Sequence, residues 1–121
     1  MSLNWVTFKV SDLEKSLQFY TGLLHLEIAA KFGSEEHQIV MLGKVDEPKI
    51  ELICEPNTKL ENSGNGVSIG LEIENLDDLV RVLKEEGKNV VGPISPNPGI
   101  RFFFVKDPDG YTVQLVEQNK K

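Results

Sequence analysis

Residues 3–10 alternate, with Val6, Phe8 and Val10 on one face and Trp5, Thr7 and Lys9 on the other. A period of two is that of a half-buried strand. Ser11 and Glu14 then stand at the spacing of a capping box, whose side chains satisfy free amides at a helix start. Leu13, Leu17, Tyr20 and Leu24 follow at intervals of four, three and four, one stripe of an amphipathic helix. Strand-like stretches near 26–33, 37–43 and 49–55 come next, divided by polar or Gly/Pro-containing turns.

After the polar, glycine-rich segment 61–66 the order restarts. Residues 67–73 alternate with Ile69, Leu71 and Ile73 on one face. Asn75 is placed to cap a helix carrying Leu76, Leu79, Val80 and Leu83, and Gly87 to end it. Residues 93–99 contain three prolines and are predicted to be a loop. Residues 101–105 predict a strand, Asp107-Pro108-Asp109-Gly110 a turn, and 111–117 a closing strand. A shift of 63 residues lays Val10 on Ile73, Leu13 on Leu76, Ile39–Leu42 on Phe102–Val105, and Ile50 and Leu52 on Val113 and Leu115. Identities in this register are few; the order of elements is what recurs. The predicted fold class is α+β: two βαβββ modules, 1–60 and 66–119, joined by a linker at 61–65 within one domain. Their sheets are expected to form an open curved sheet around a cleft.

Composition narrows the class of partner. The 121 residues, 40% apolar and 26% charged, suit one globular domain. Nineteen acidic residues against 13 basic leave a charge of −6, and the Lys/Arg cluster is confined to Lys120-Lys121. That disfavours nucleic acid and anionic membrane as partners. No apolar run approaches the ~20 residues of a membrane span, and the N-terminus lacks a signal-peptide layout. The single cysteine, Cys54, forms no internal disulfide, so the expected location is the cytoplasm. Within Ile50-Glu51-Leu52-Ile53-Cys54 that thiol reads as a small buried hydrophobe rather than a nucleophile.

Strand parity locates a candidate site. If Val6, Phe8 and Val10 pack under the helix, Trp5 faces away from it, and Glu51, Ser68 and Gln114 do the same on their strands. The shift of 63 carries Trp5 onto Ser68 and Glu51 onto Gln114, so these four are expected to line the cleft. Phe102 and Phe104 are expected in the core, with Phe103 looking into the cleft beside Arg101. Arg101 is placed either to meet an anionic ligand group or to stand as a surface arginine.

The run from Val10 to Leu24, V-x-D-L-x-x-S-x-x-F-Y-x-x-L-L, and the ending Phe104-Val-Lys-Asp107-Pro108-Asp109-Gly110-Tyr111-Thr-Val-Gln-Leu115 carry a resemblance. The chain resembles the vicinal oxygen chelate superfamily of glyoxalases, extradiol dioxygenases, fosfomycin-resistance thiol transferases and bleomycin-binding proteins. The resemblance implies a divalent metal held by His or Glu at four equivalent strand positions, which fall here at Trp5, Glu51, Ser68 and Gln114. Only Glu51 is a good ligand: indole has no lone pair for a metal, and Ser and Gln offer neutral oxygens. His25 and His37 match none of the four positions. No metal and no cofactor are therefore expected.

Glu51 has three readings: an acid recognising a cationic or hydrogen-bonding group, a general base with a pKa raised by partial burial, or a hydrogen-bonded strand carboxylate without a role. Trp5 is an aromatic platform, a filler of the metal's space, or part of a dimer interface. The expected function is metal-free binding of a small molecule, cationic or aromatic, as in the bleomycin-resistance branch. The alternatives are a glyoxalase-like lyase or dioxygenase with a divergent site, a cofactor-free catalyst using Glu51, and a dimeric scaffold with a closed cleft. A homodimer is expected from the resemblance alone.

Overall fold

The alternating N-terminal residues form strand β1 (Trp5–Val10), burying Phe8 and Val10 and leaving Trp5, Thr7 and Lys9 exposed. It belongs to a computed structural model that describes residues 1–60 and 64–118 and divides into two units, Met1–Ser63 and Gly64–Lys121. Residues 61–63 of the expected linker, residue 119 and the Lys120-Lys121 pair lie outside the described residues. No described helix is long and apolar enough to cross a membrane.

In the first unit, helix α1 (Leu13–Leu17) runs into a π-helical turn (Gln18–Leu23), followed by β2 (Ile28–Gly33), β3 (Gln38–Leu42) and β4 (Lys49–Cys54). The sheet order is β1-β4-β3-β2, with β1 and β4 parallel and the other pairs antiparallel. The second unit repeats this with β5 (Ser68–Glu72), α2 (Leu76–Glu85), β6 (Val91–Asn97), β7 (Ile100–Lys106) and β8 (Thr112–Gln118) in the order β5-β8-β7-β6. Again the one parallel pair joins the first strand to the last. Both units are therefore βαβββ. Four elements of the first unit, starting at Trp5, Leu13, Ile28 and Lys49, have counterparts starting 63 residues later at Ser68, Leu76, Val91 and Thr112.

Each sheet buries one face against its helix. Phe8, Val10, Val40, Leu42, Ile50 and Leu52 are buried in the first unit, and Phe103, Val105, Val113 and Leu115 with Leu76, Val80 and Leu83 in the second. Each such side chain contributes about 1.5–3 kcal/mol of transfer free energy. Cys54 belongs to this buried set, its thiol 3.8 Å from the Ser11 carbonyl oxygen.

The helices depart from their sequence pattern in instructive ways. Asp12, not a Ser11–Glu14 box, caps α1: its carboxylate accepts the Lys15 N–H at 3.1 Å. The buried residues are Ser16, Phe19, Tyr20 and Leu24, while Leu13 and Leu17 are half-buried. The cause is the π-turn, closed by the Leu24 N–H on the Phe19 carbonyl (3.0 Å), which inserts a residue and rotates the buried stripe. Asn75 precedes α2 in a left-handed conformation (φ 55°) and makes no side-chain cap. Gly87, at φ 79°, does end α2.

The proline-containing segment expected as a loop is instead strand β6, pairing with β7 through two irregularities in register. It lies at the edge of its sheet, where a proline without an N–H interrupts no inner ladder.

Candidate ligand-binding faces

The face of each sheet turned away from its helix carries the polar groups. In the first unit Thr7 on β1 stands directly across the parallel ladder from Glu51 on β4, and Trp5 directly across from Lys49. The Thr7 hydroxyl donates to Glu51 Oε1 at 2.7 Å. Glu51 Oε2 has no partner among the described residues. Trp5, 52% exposed and the chain's only tryptophan, is the diagonal neighbour of Glu51 on the same face. Met41 lies beside Glu51 and Ile39 beside Ile53. Two lysines share this face, but both are engaged: Lys9 Nζ lies 3.9 Å from Glu55, and Lys49 Nζ donates to the carbonyls of Val45 and Glu47. Glu51 is left as a half-buried carboxylate, oriented by a hydroxyl and uncompensated by a cation.

In the second unit Gln114 Nε2 donates to Ser68 Oγ at 3.2 Å. The residue directly across from Gln114 is Gly70, so the amide reaches diagonally to Ser68. Phe104 stands across from Gln114 on the other side and Phe102 across from Val116. Their rings meet edge to face with centroids 5.4 Å apart.

Two expected site residues are placed elsewhere. Phe103 is buried, and Phe102 and Phe104 are the half-buried residues of the opposite face, reversing the expected parity. The reason is register: β7 pairs Phe103 with Leu115 and Val105 with Val113, two fully buried residues. The 63-residue shift already carried this signal, because it lays the buried Val40 and Leu42 on Phe103 and Val105. Arg101 shares Phe103's face, its guanidinium carbon 5.9 Å from that ring's centroid. It grips Asp77 of α2 through two bonds (3.0 and 3.2 Å) and Glu117 of β8 (3.2 Å). The bond to Arg101 lowers the Asp77 pKa, and the two carboxylates raise that of Arg101. Arg101 therefore fastens helix to sheet and is not part of the Ser68–Gln114 face.

Sequence reasoning missed Thr7. Parity put it on the correct face, but only the β1–β4 register sets it against Glu51. Of the histidines, His25 is exposed at φ 61° and His37 lies 3.5 Å from Glu55. A hollow of about 530 Å³ in the first unit opens outside α1 between Leu13, Glu14, Leu17 and Gln38, away from the Trp5–Glu51 face.

A βαβββ unit repeated at fixed spacing, each with one parallel and two antiparallel strand pairs, defines the paired-module class to which glyoxalases belong. The chain is a member of the Glyoxalase/Bleomycin resistance protein/Dioxygenase superfamily, whose model matches residues 2–115. It is 32% identical over 130 residues to a probable lactoylglutathione lyase of Synechocystis, covering all of this chain and 98% of that one. A lactoylglutathione lyase of Salmonella typhimurium is 29% identical, covering 97% and 93%. Among solved structures the fold matches the trypanothione-dependent glyoxalase I of Leishmania major (TM-score 0.81, 22% identity, covering 97% and 86%). It also matches TnmS3, an antibiotic-binding protein of Streptomyces (TM-score 0.75, 21% identity, covering 98% and 97%).

The residues present do not fit the divalent metal that this membership implies. At the four positions stand an indole, a carboxylate bonded to Thr7, a hydroxyl accepting from Gln114, and that amide. Tight transition-metal sites need about three strong protein ligands. Among the described residues no group of three or more His, Cys, Asp or Glu is arranged to hold an ion.

Proposed function

We propose that this protein binds a small organic cation without a transition metal on the outward face of its first sheet, using Glu51 as counter-charge and Trp5 as aromatic platform. The observation that carries this reading is the Thr7–Glu51 pair: a carboxylate held by a 2.7 Å bond, beside the half-exposed Trp5, with both neighbouring lysines engaged elsewhere. An ammonium or guanidinium group supplies what Glu51 Oε2 lacks, and a ring beside it gains from the indole face. The antibiotic-binding relative of the same fold lends the reading a precedent.

Trp5, as the only tryptophan, makes the test direct. Titration with 2-phenylethylamine should change its fluorescence saturably, 2-phenylethanol and phenylacetate should bind at least tenfold more weakly, and Glu51→Gln should erase the difference. Equal binding of all three probes overturns the reading.

A second reading, a lyase with a divergent site, is favoured by the full-length 32% identity to a probable lactoylglutathione lyase. It predicts S-lactoylglutathione formation from methylglyoxal and glutathione on addition of Ni²⁺ or Zn²⁺. The metal-free reading predicts none, and well under one transition metal per chain by elemental analysis of the purified protein.

A further inference from the structure

The second unit holds a cavity of its own. Gly87 turns the chain out of α2, and the Lys88 N–H closes on the Leu83 carbonyl at 2.9 Å. This brings Lys88 and Asn89 against Val91, Phe104, Lys106 and Thr112, around a cavity of about 180 Å³. No carboxylate lines it. Lys106 Nζ is held at the wall by donating to Thr112 Oγ1 at 2.6 Å. Neither lysine has an acidic partner among the described residues, although acids outnumber bases 19 to 13 in the chain. By contrast, both arginines of this unit are paired, Arg81 with Glu85 and Arg101 with Asp77 and Glu117. The acid next to Lys106 in sequence, Asp107, is buried, and its Oδ1 accepts the N–H groups of Asp109 and Tyr111.

We propose that this cavity binds an organic anion: a carboxylate or phosphate group set between Lys88 and Lys106, on a small apolar body resting against Val91 and Phe104. The Asn89 amide and Thr112 hydroxyl add neutral donors, and the apolar wall lowers the local dielectric and strengthens both charge contacts. About 180 Å³ accommodates one oxyanion with the near part of a ring. Phe104 also stands across from Gln114, so the cavity adjoins the polar face of its own sheet. The assignment is independent of the cation reading, since it uses no residue of the first unit.

The test follows backbone amide shifts of the full chain by NMR at constant ionic strength, with inorganic phosphate, phenyl phosphate, acetate and benzoate as probes. Saturable shifts are expected at Lys88, Asn89, Val91, Lys106 and Thr112. Phenyl phosphate should bind at least tenfold more tightly than inorganic phosphate, and benzoate than acetate. Which pair saturates first separates a phosphate from a carboxylate ligand. The double variant Lys88→Gln/Lys106→Gln should lose at least tenfold in affinity with Leu83 and Val113 amides unmoved, whereas Lys31→Gln on β2 should bind as wild type does. Non-saturating shifts spread over all exposed lysines, or unchanged binding in the double variant, overturn the site. Equal affinity for aryl and inorganic probes overturns the apolar body.

Discussion

On the outward face of the first sheet a carboxylate and a hydroxyl stand straight across the β1–β4 ladder, Glu51 and Thr7. At the same place in the second sheet the acid is the amide of Gln114, the residue across from it is the bare Gly70, and the bond runs diagonally to Ser68. A Cβ added to Gly70 would touch only Val116 Cγ2, at 3.6 Å, so packing does not require glycine there. The reverse holds on the helix side. Arg101 bridges Asp77 and Glu117 in the second unit, whereas the positions 63 residues earlier hold Gln38, Glu14 and Cys54. Gln38 and Glu14 line the open hollow outside α1 instead of bridging it. Inward positions keep matching apolar residues because a filled core tolerates little else. The outward polar positions carry no such constraint, and there the two units part in chemistry.

The largest expected effects probe what the units share. Leu52→Ala and Leu115→Ala empty equivalent, fully buried positions, and each should cost about 2–5 kcal/mol in urea unfolding. A cost under about 1 kcal/mol at either site breaks the equivalence of the cores.

The outward faces should respond unequally. Thr7→Val removes the hydroxyl that orients Glu51 and should weaken binding of 2-phenylethylamine about fivefold, roughly 1 kcal/mol, with recovery in Thr7→Ser. Gly70→Thr supplies the missing hydroxyl across from Gln114 and should leave that binding unchanged. Equal weakening by both substitutions would overturn the assignment of the cation to the first sheet.

The helix starts sharpen the contrast further. Asp12→Ala removes a working cap and should cost about 1 kcal/mol, whereas Asn75→Gly removes none and relieves a left-handed residue, so its cost should stay within a few tenths. Urea midpoints of the two variants measure the difference.

The smallest effect concerns the Arg101 bridge. Because Arg101 lowers the Asp77 pKa in the folded state, the pair's contribution is complete above the ordinary carboxylate range and is lost as pH falls through the lowered value. The gap in urea midpoint between wild type and Asp77→Asn should therefore close in acid. Gln38→Arg sets a guanidinium opposite Glu14 and should add no more than about 1 kcal/mol, as exposed ion pairs do.

Much of this was legible in the residues. The restart after segment 61–66 and the 63-residue spacing foretold β1, α2, β4 and β8 within a residue or two of their observed starts. Parity alone put Trp5 and Thr7 on one face and Phe8 and Val10 on the other. The failures share a cause. The three phenylalanines of β7 satisfy either parity, the π-turn shifts the buried face of the first helix, and an edge position lets prolines into β6.

Sequence alone thus determined the repeated order of most elements and the inward apolar positions of β1, β4 and β8, because periodicity is a local property. Pairing Thr7 with Glu51, turning Arg101 onto Asp77 and gathering Lys88 with Lys106 around one cavity took tertiary structure. Each depends on strand register or helix placement between residues from 16 to 44 apart or on a cavity wall assembled from several elements, and no local pattern encodes those.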